Sequence, residues 1–114
     1  MTTLPARGPT TNELAQRWLQ ERVDPGAVVL VESYAPWVDP ERYDVVASTR
    51  LIDGPVPEAE YVIASEAMYG RFLDDPTRYP LQALAYRAAF AGWDEVAAFS
   101  GNGPTVRIFR QSRT

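Results

Sequence analysis

Residues 27–31 read Ala-Val-Val-Leu-Val, an unbroken apolar run with no polar alternation. A strand with one wet face alternates, so this pattern belongs to a strand buried on both faces. Such a strand needs packed elements above and below it, which points to a layered α/β domain. The chain has 114 residues, enough for one core of this kind and short for two. Its hydrophobic fraction of 46% and charged fraction of 23% suit a folded globular domain.

The remaining elements follow from local signals. Residues 1–10 are polar and proline-containing and read as a flexible lead-in. Thr10 and Glu13 match a capping box, and Leu14, Ala15, Trp18 and Leu19 recur at helical spacing, which predicts a helix from Thr11 to Arg22. Asp24-Pro25-Gly26 stops it. After the apolar run, residues 32–42 read as a loop, with Pro40-Glu41-Arg42 as a short helical turn. Strands are expected over 43–48 and 61–64, a helix over 65–73, and a second helix from Pro80 at its first position to Ala91, with Leu81, Leu84, Ala85 and Ala88 as its apolar stripe and Gly92 as its cap. Two β-prone runs, 94–99 and 105–110, flank a Gly-Asn-Gly segment, a hairpin signal because those residues accept positive φ. The tail 111–114 reads as frayed. The expected fold is a small layered α/β sandwich. Its mixed sheet has about five strands, parallel at the apolar runs and antiparallel at a terminal hairpin, with about three helices.

Composition removes whole classes of chemistry. There is no cysteine and no histidine. Disulfides, thiolate nucleophiles, Ser-His-Asp triads and histidine metal sites are therefore excluded. All 11 basic residues are arginine, so neither a Schiff-base lysine nor a phosphate-loop lysine exists. The net charge of −4 opposes a nucleic-acid partner. No glycine-rich phosphate loop follows any predicted strand, and no acidic spacing resembles a calcium loop. The chain has no apolar run long enough to span a bilayer and no secretory h-region in residues 1–9. No cofactor, metal ligand or catalytic residue is assigned.

Candidate ligand-binding residues come from the ends of the predicted parallel strands, where open α/β sheets bind ligands. Glu32 and Tyr34 follow the first strand, Trp37 lies in the next loop, and Ser65 follows the third strand. A carboxylate beside aromatic rings suits a sugar: the carboxylate accepts hydroxyl protons and the ring covers the apolar sugar face. The competing reading makes Glu32 and Ser65 caps and the aromatics packing groups. Tyr69 and Arg71 form a second candidate, since an arginine flanked by tyrosine grips anions; the competing reading pairs the arginine with Asp74 or Asp75. The paired acids Asp74-Asp75 and Asp94-Glu95 read as helix terminators and solvated surface rather than a glycosidase pair.

Four segments also resemble a known family. Ser65 to Pro80, SEAMYGRFLDDPTRYP, is similar to a recurring "S..MYGRY..DP.RYP", and 103–109 to a closing "GPTIRIYR". Ala15, Trp18, Val23, Pro25 and Gly26 match an opening "A..W....I.PG", and 39–45 match "LDPERYEV". In this order they resemble, over residues 11–110, the soluble domain after the last transmembrane helix of membrane glycosyltransferases of the protein O-mannosyltransferase and lipid-A aminoarabinose-transferase type. Those enzymes use polyprenyl-phosphate sugar donors, and their catalytic acid lies in a loop between transmembrane helices. No position here corresponds to it. The resemblance therefore implies a non-catalytic accessory domain on the extracytoplasmic face of the membrane. Its partners would be the transmembrane part of the enzyme or a carbohydrate or glycoprotein acceptor. The alternative is a free-standing ligand-binding or protein-interaction domain, cytoplasmic if the chain acts as written.

Overall fold

The structure is a computed structural model that describes residues 8–54 and 58–111. The lead-in before residue 8, the connection at 55–57 and the tail after residue 111 lie outside the described residues. The element order is α1 (Thr11–Arg22), β1 (Val28–Glu32), β2 (Asp44–Ser48), β3 (Tyr61–Ser65), α2 (Glu66–Asp74), α3 (Pro80–Ala91), β4 (Trp93–Gly101) and β5 (Gly103–Gln111). This is the expected α/β fold: three helices on one five-stranded mixed sheet of order β2-β1-β3-β5-β4. β1 runs parallel to both β2 and β3, and β5 pairs antiparallel with β3 and β4.

Alternation along the strands divides the core into two layers. On one face Val29, Ile63, Val106 and Ile108 pack with Ala15, Leu19 and Val23 of the α1 side. On the other, Leu30, Val62, Ala64 and Phe109 pack with Met68, Tyr69 and Phe72 of α2 and Tyr86 and Phe90 of α3. Each fully buried side chain of this size is worth roughly 1.5–3 kcal/mol, so both layers contribute to holding the sheet. The aromatic layer is continuous. Phe72 stacks on Tyr86 at 5.7 Å between ring centroids, and Phe90 on Phe109 at 4.7 Å.

Local chemistry sets the element ends. The Glu13 N–H donates to Thr10 Oγ1 at 3.1 Å, and the Ala67 N–H to Ser65 Oγ at 3.2 Å, so α1 and α2 begin on hydroxyl caps, whereas α3 begins on Pro80. Asn102 alone separates β4 from β5, between Gly101 at φ +119 and Gly103 at φ +122. Register shifts between Glu95 and Ala97 and between Phe99 and Gly101 distort the edge strand β4, a feature that discourages edge-to-edge pairing.

Three expectations are corrected. Leu81 and Leu84 are 77% and 65% exposed, whereas Ala83, Tyr86 and Phe90 are buried. The aromatic layer of α2 and β5 selects the aromatic face of α3 over its leucines, because rings bury more area there. Glu32 is the last residue of β1 rather than the first of a loop. Gln111 closes β5: its N–H donates to the Glu60 carbonyl at 3.2 Å and its Oε1 accepts from the Ala59 N–H at 3.1 Å. Residues 39–43 do make one helical turn, with the Tyr43 N–H on the Asp39 carbonyl at 3.0 Å.

Candidate functional site

The loop from β1 to β2 crosses the α1 face of the sheet, and three contacts pin it to α1. Gln16 Nε2 donates to the Trp37 carbonyl at 2.9 Å, the Tyr43 hydroxyl donates to the Leu19 carbonyl at 2.9 Å, and an Arg42 amino group donates to the Gln20 carbonyl at 3.2 Å. Val38 and Tyr43 are buried beneath this loop, so it is anchored by burial as well as by hydrogen bonds. Two of its three aromatic rings nevertheless face outward: Tyr34 is 65% and Trp37 is 68% exposed.

Tyr34 sits at the second central position of a turn closed by the Ala35 N–H on the Glu32 carbonyl at 3.1 Å. Its φ is +71, and it is the one non-glycine residue with positive φ among the described residues. Turns with positive φ at that position ordinarily carry glycine or asparagine. A tyrosine there costs about 1–2 kcal/mol of backbone strain.

The two rings border an open cleft of about 660 Å³ beyond the carboxyl ends of β1 and β2. Ser33 and Thr49 line it beside the rings, Val31, Pro36, Pro40 and Val45 give it an apolar floor, and Ser48 lines its edge with its hydroxyl donated to the Arg50 carbonyl at 3.0 Å. A smaller cleft of about 140 Å³ lies on the far side of Trp37 and Val38, bounded by Gln16, Gln20, Asp39 and Arg42. The arrangement presents hydroxyls and flat rings to a ligand, and its shape is already held by the contacts to α1.

Glu32 does not present its carboxylate to this cleft. It follows Leu30 onto the opposite face of the sheet and is 1% exposed. Its Oε2 accepts from the Tyr86 hydroxyl at 2.6 Å and from the Leu51 N–H at 2.9 Å, while its buried Oε1 has no partner among the described residues. Burial pushes the Glu32 carboxyl above its ordinary value of 4.5, against the lowering effect of the Tyr86 and Leu51 bonds. The Tyr86 hydroxyl is also raised, by burial first and then by the bond to Glu32.

The other predicted residues stand apart from the cleft. Ser65 is the buried cap of α2 and pairs with Val106 in the sheet. Tyr69 is buried in the aromatic layer, and burial pushes its hydroxyl up to about 12. The Arg107 guanidinium lies 5.9 Å from its ring, 4.5 Å from that of Phe90 and 5.0 Å from that of Phe109, and is paired with Glu95. Arg71 lies over the Phe72 ring at 5.3 Å. The structure therefore brings Tyr34 and Trp37 together at one cleft and places Ser65, Tyr69 and Arg71 around α2.

Sequence reasoning did not single out Gln16, Asp39, Arg42 or Tyr86. The spacing of Ala83, Tyr86 and Phe90 carries a helical period that would have revealed the last of these. Among the described residues no group of three or more acidic side chains could hold a metal ion, and no helix is long and apolar enough to cross a membrane. No known family model, curated protein or solved structure matches this chain.

Proposed function

We propose that this chain is a non-catalytic accessory domain that binds carbohydrate at the cleft beside Tyr34 and Trp37. The observation that carries the reading is the pair of exposed rings at the carboxyl ends of two parallel strands, lining one cleft with Ser33 and Thr49. Neutral hydroxyls and flat apolar surfaces complement a sugar, whose hydroxyls need hydrogen-bond partners and whose ring has an apolar face. Holding a tyrosine in a glycine-type conformation costs stability, and such strain concentrates where function requires a particular side chain.

The resemblance of residues 11–110 to the C-terminal soluble region of polyprenyl-phosphate-sugar-dependent membrane glycosyltransferases supplies the context. In that context the domain lies on the extracytoplasmic face, beside the transmembrane part of such an enzyme, and engages its glycan or glycoprotein acceptor. The binding role differs from the sequence expectation: Glu32 serves the core, Ser65, Tyr69 and Arg71 lie outside the cleft, and Ser33 and Thr49 meet the ligand.

The test is an NMR titration of the chain with mannose and α-linked mannobiose. Expected are shifts confined to residues 31–49 and the Trp37 indole, abolished by Trp37→Ala in a variant that keeps its fold. The absence of shifts with either sugar, or shifts centred on Tyr69 and Arg71, would overturn the reading.

A further inference from the structure

The geometry points to a ligand that is a linear chain of at least two sugar units crossing Trp37, with a second subsite in the smaller cleft. This inference rests on the carbohydrate reading above and specifies the class of ligand. Trp37 and Val38 line both clefts, so the two are adjacent rather than separate features of the surface. Trp37 is the exposed ridge between them, with its backbone held by Gln16.

The two sides differ in chemistry. The larger cleft offers rings, prolines and hydroxyls. The smaller one offers planar polar side chains, namely the amides of Gln16 and Gln20, the Asp39 carboxylate and the Arg42 guanidinium. Planar groups with two polar atoms match the spacing of neighbouring hydroxyls on a sugar ring. Several are already oriented: Arg42 Nε donates to the Tyr43 hydroxyl at 3.0 Å, and Asp39 Oδ1 accepts from the Glu41 N–H at 2.9 Å. Gln16 and Asp39 each carry a second polar atom beyond the one engaged in these bonds. A subsite so preorganised loses little side-chain freedom on binding. The lining thus runs from Tyr34 in the larger cleft through Trp37, shared by both, to Asp39 in the smaller one.

The discriminating experiment is calorimetric titration of the whole chain with α-linked manno-oligosaccharides of one to four units. Affinity is expected to rise by about tenfold between one unit and two or three, the scale of one charge-assisted hydrogen bond, and then level off. Gln20→Trp fills the smaller cleft from an exposed helix position. It is expected to remove that rise while leaving the affinity for a single unit unchanged. A length-independent affinity in the parent chain, or a rise that persists in Gln20→Trp, overturns the two-subsite inference and leaves the carbohydrate reading standing. Failure of every member of the series to bind overturns both.

Discussion

The Tyr86 hydroxyl donates a 2.6 Å hydrogen bond to Glu32 Oε2, joining the middle of α3 to the last residue of β1 across the core. The same oxygen accepts the Leu51 N–H, so one carboxylate ties together a strand, a helix and the connection after β2. Tyr86→Phe removes one of its two bonds and leaves a buried oxygen undersatisfied. The expected loss is about 1–3 kcal/mol in denaturant unfolding. A loss below about 0.5 kcal/mol would show that the bond is energetically idle.

The same carboxyl predicts a pH dependence. Burial, with a smaller contribution from Asp53, raises its folded value above 4.5, while Tyr86, the Leu51 N–H and Arg50 oppose the rise. A raised acid binds its proton more tightly folded than unfolded. Its stabilisation is therefore complete below about pH 4.5 and declines as pH climbs through the folded value. Glu32→Gln keeps an acceptor and cannot ionise, so melting curves from about pH 4 to 8 should lose that decline. An identical slope in both proteins would assign it to other groups.

Gly103 and Gly101 form a matched pair. Both have φ near +120, but a Cβ on Gly103 would lie 2.9 Å from Thr11 Oγ1, while one on Gly101 meets open space. Thr11 is buried there, its hydroxyl donating to the Pro104 carbonyl at 2.7 Å and its N–H to the Asn102 carbonyl at 3.0 Å. Gly101→Ala should cost about 1–2 kcal/mol from backbone strain alone. Gly103→Ala should cost measurably more, because the α1 docking contact must also shift. Equal losses in thermal unfolding would contradict a tight hairpin-to-helix seat.

Tyr34→Gly separates stability from binding. It releases the positive-φ strain and gives up ring contact with a ligand. Stability is expected to rise by up to about 1 kcal/mol, after the entropy of the freed chain is subtracted, while carbohydrate affinity falls. A fall in stability would mean that the ring packs more than its exposure indicates.

The outward face of α3 gives the simplest check. Leu81→Gln and Leu84→Gln should each alter stability by no more than about 0.5 kcal/mol, whereas Ala83→Gln on the buried face should cost more than about 2 kcal/mol. Urea unfolding of the three variants distinguishes the two faces.

Half of the candidate site was legible before the fold was known. Tyr34 and Trp37 stand where a loop follows an apolar strand, and strand ends are where such sheets bind ligands. The second cleft was not legible, because Gln16 and Arg42 are 26 positions apart in the chain and meet only when the loop lies on α1. Glu32 was misplaced by a single position: counted as the first loop residue it faces a ligand, and counted as the last strand residue it faces the core. A period of two makes strand side chains that sensitive to a boundary.

What the sequence alone determined is the succession of elements: hydroxyl caps at Thr10 and Ser65, the proline start of α3, the apolar strands and the glycine-flanked hairpin. Each is a contest between a residue and its covalent neighbours, decided within a few positions. The tertiary structure alone decided that β5 inserts beside β3, that α3 buries Tyr86 and Phe90 instead of Leu81 and Leu84, and that the Glu32 carboxylate lies beneath a helix. Those outcomes depend on the shape and area offered by surfaces distant in the chain. No local pattern encodes such surfaces, because they exist only once the sheet has assembled.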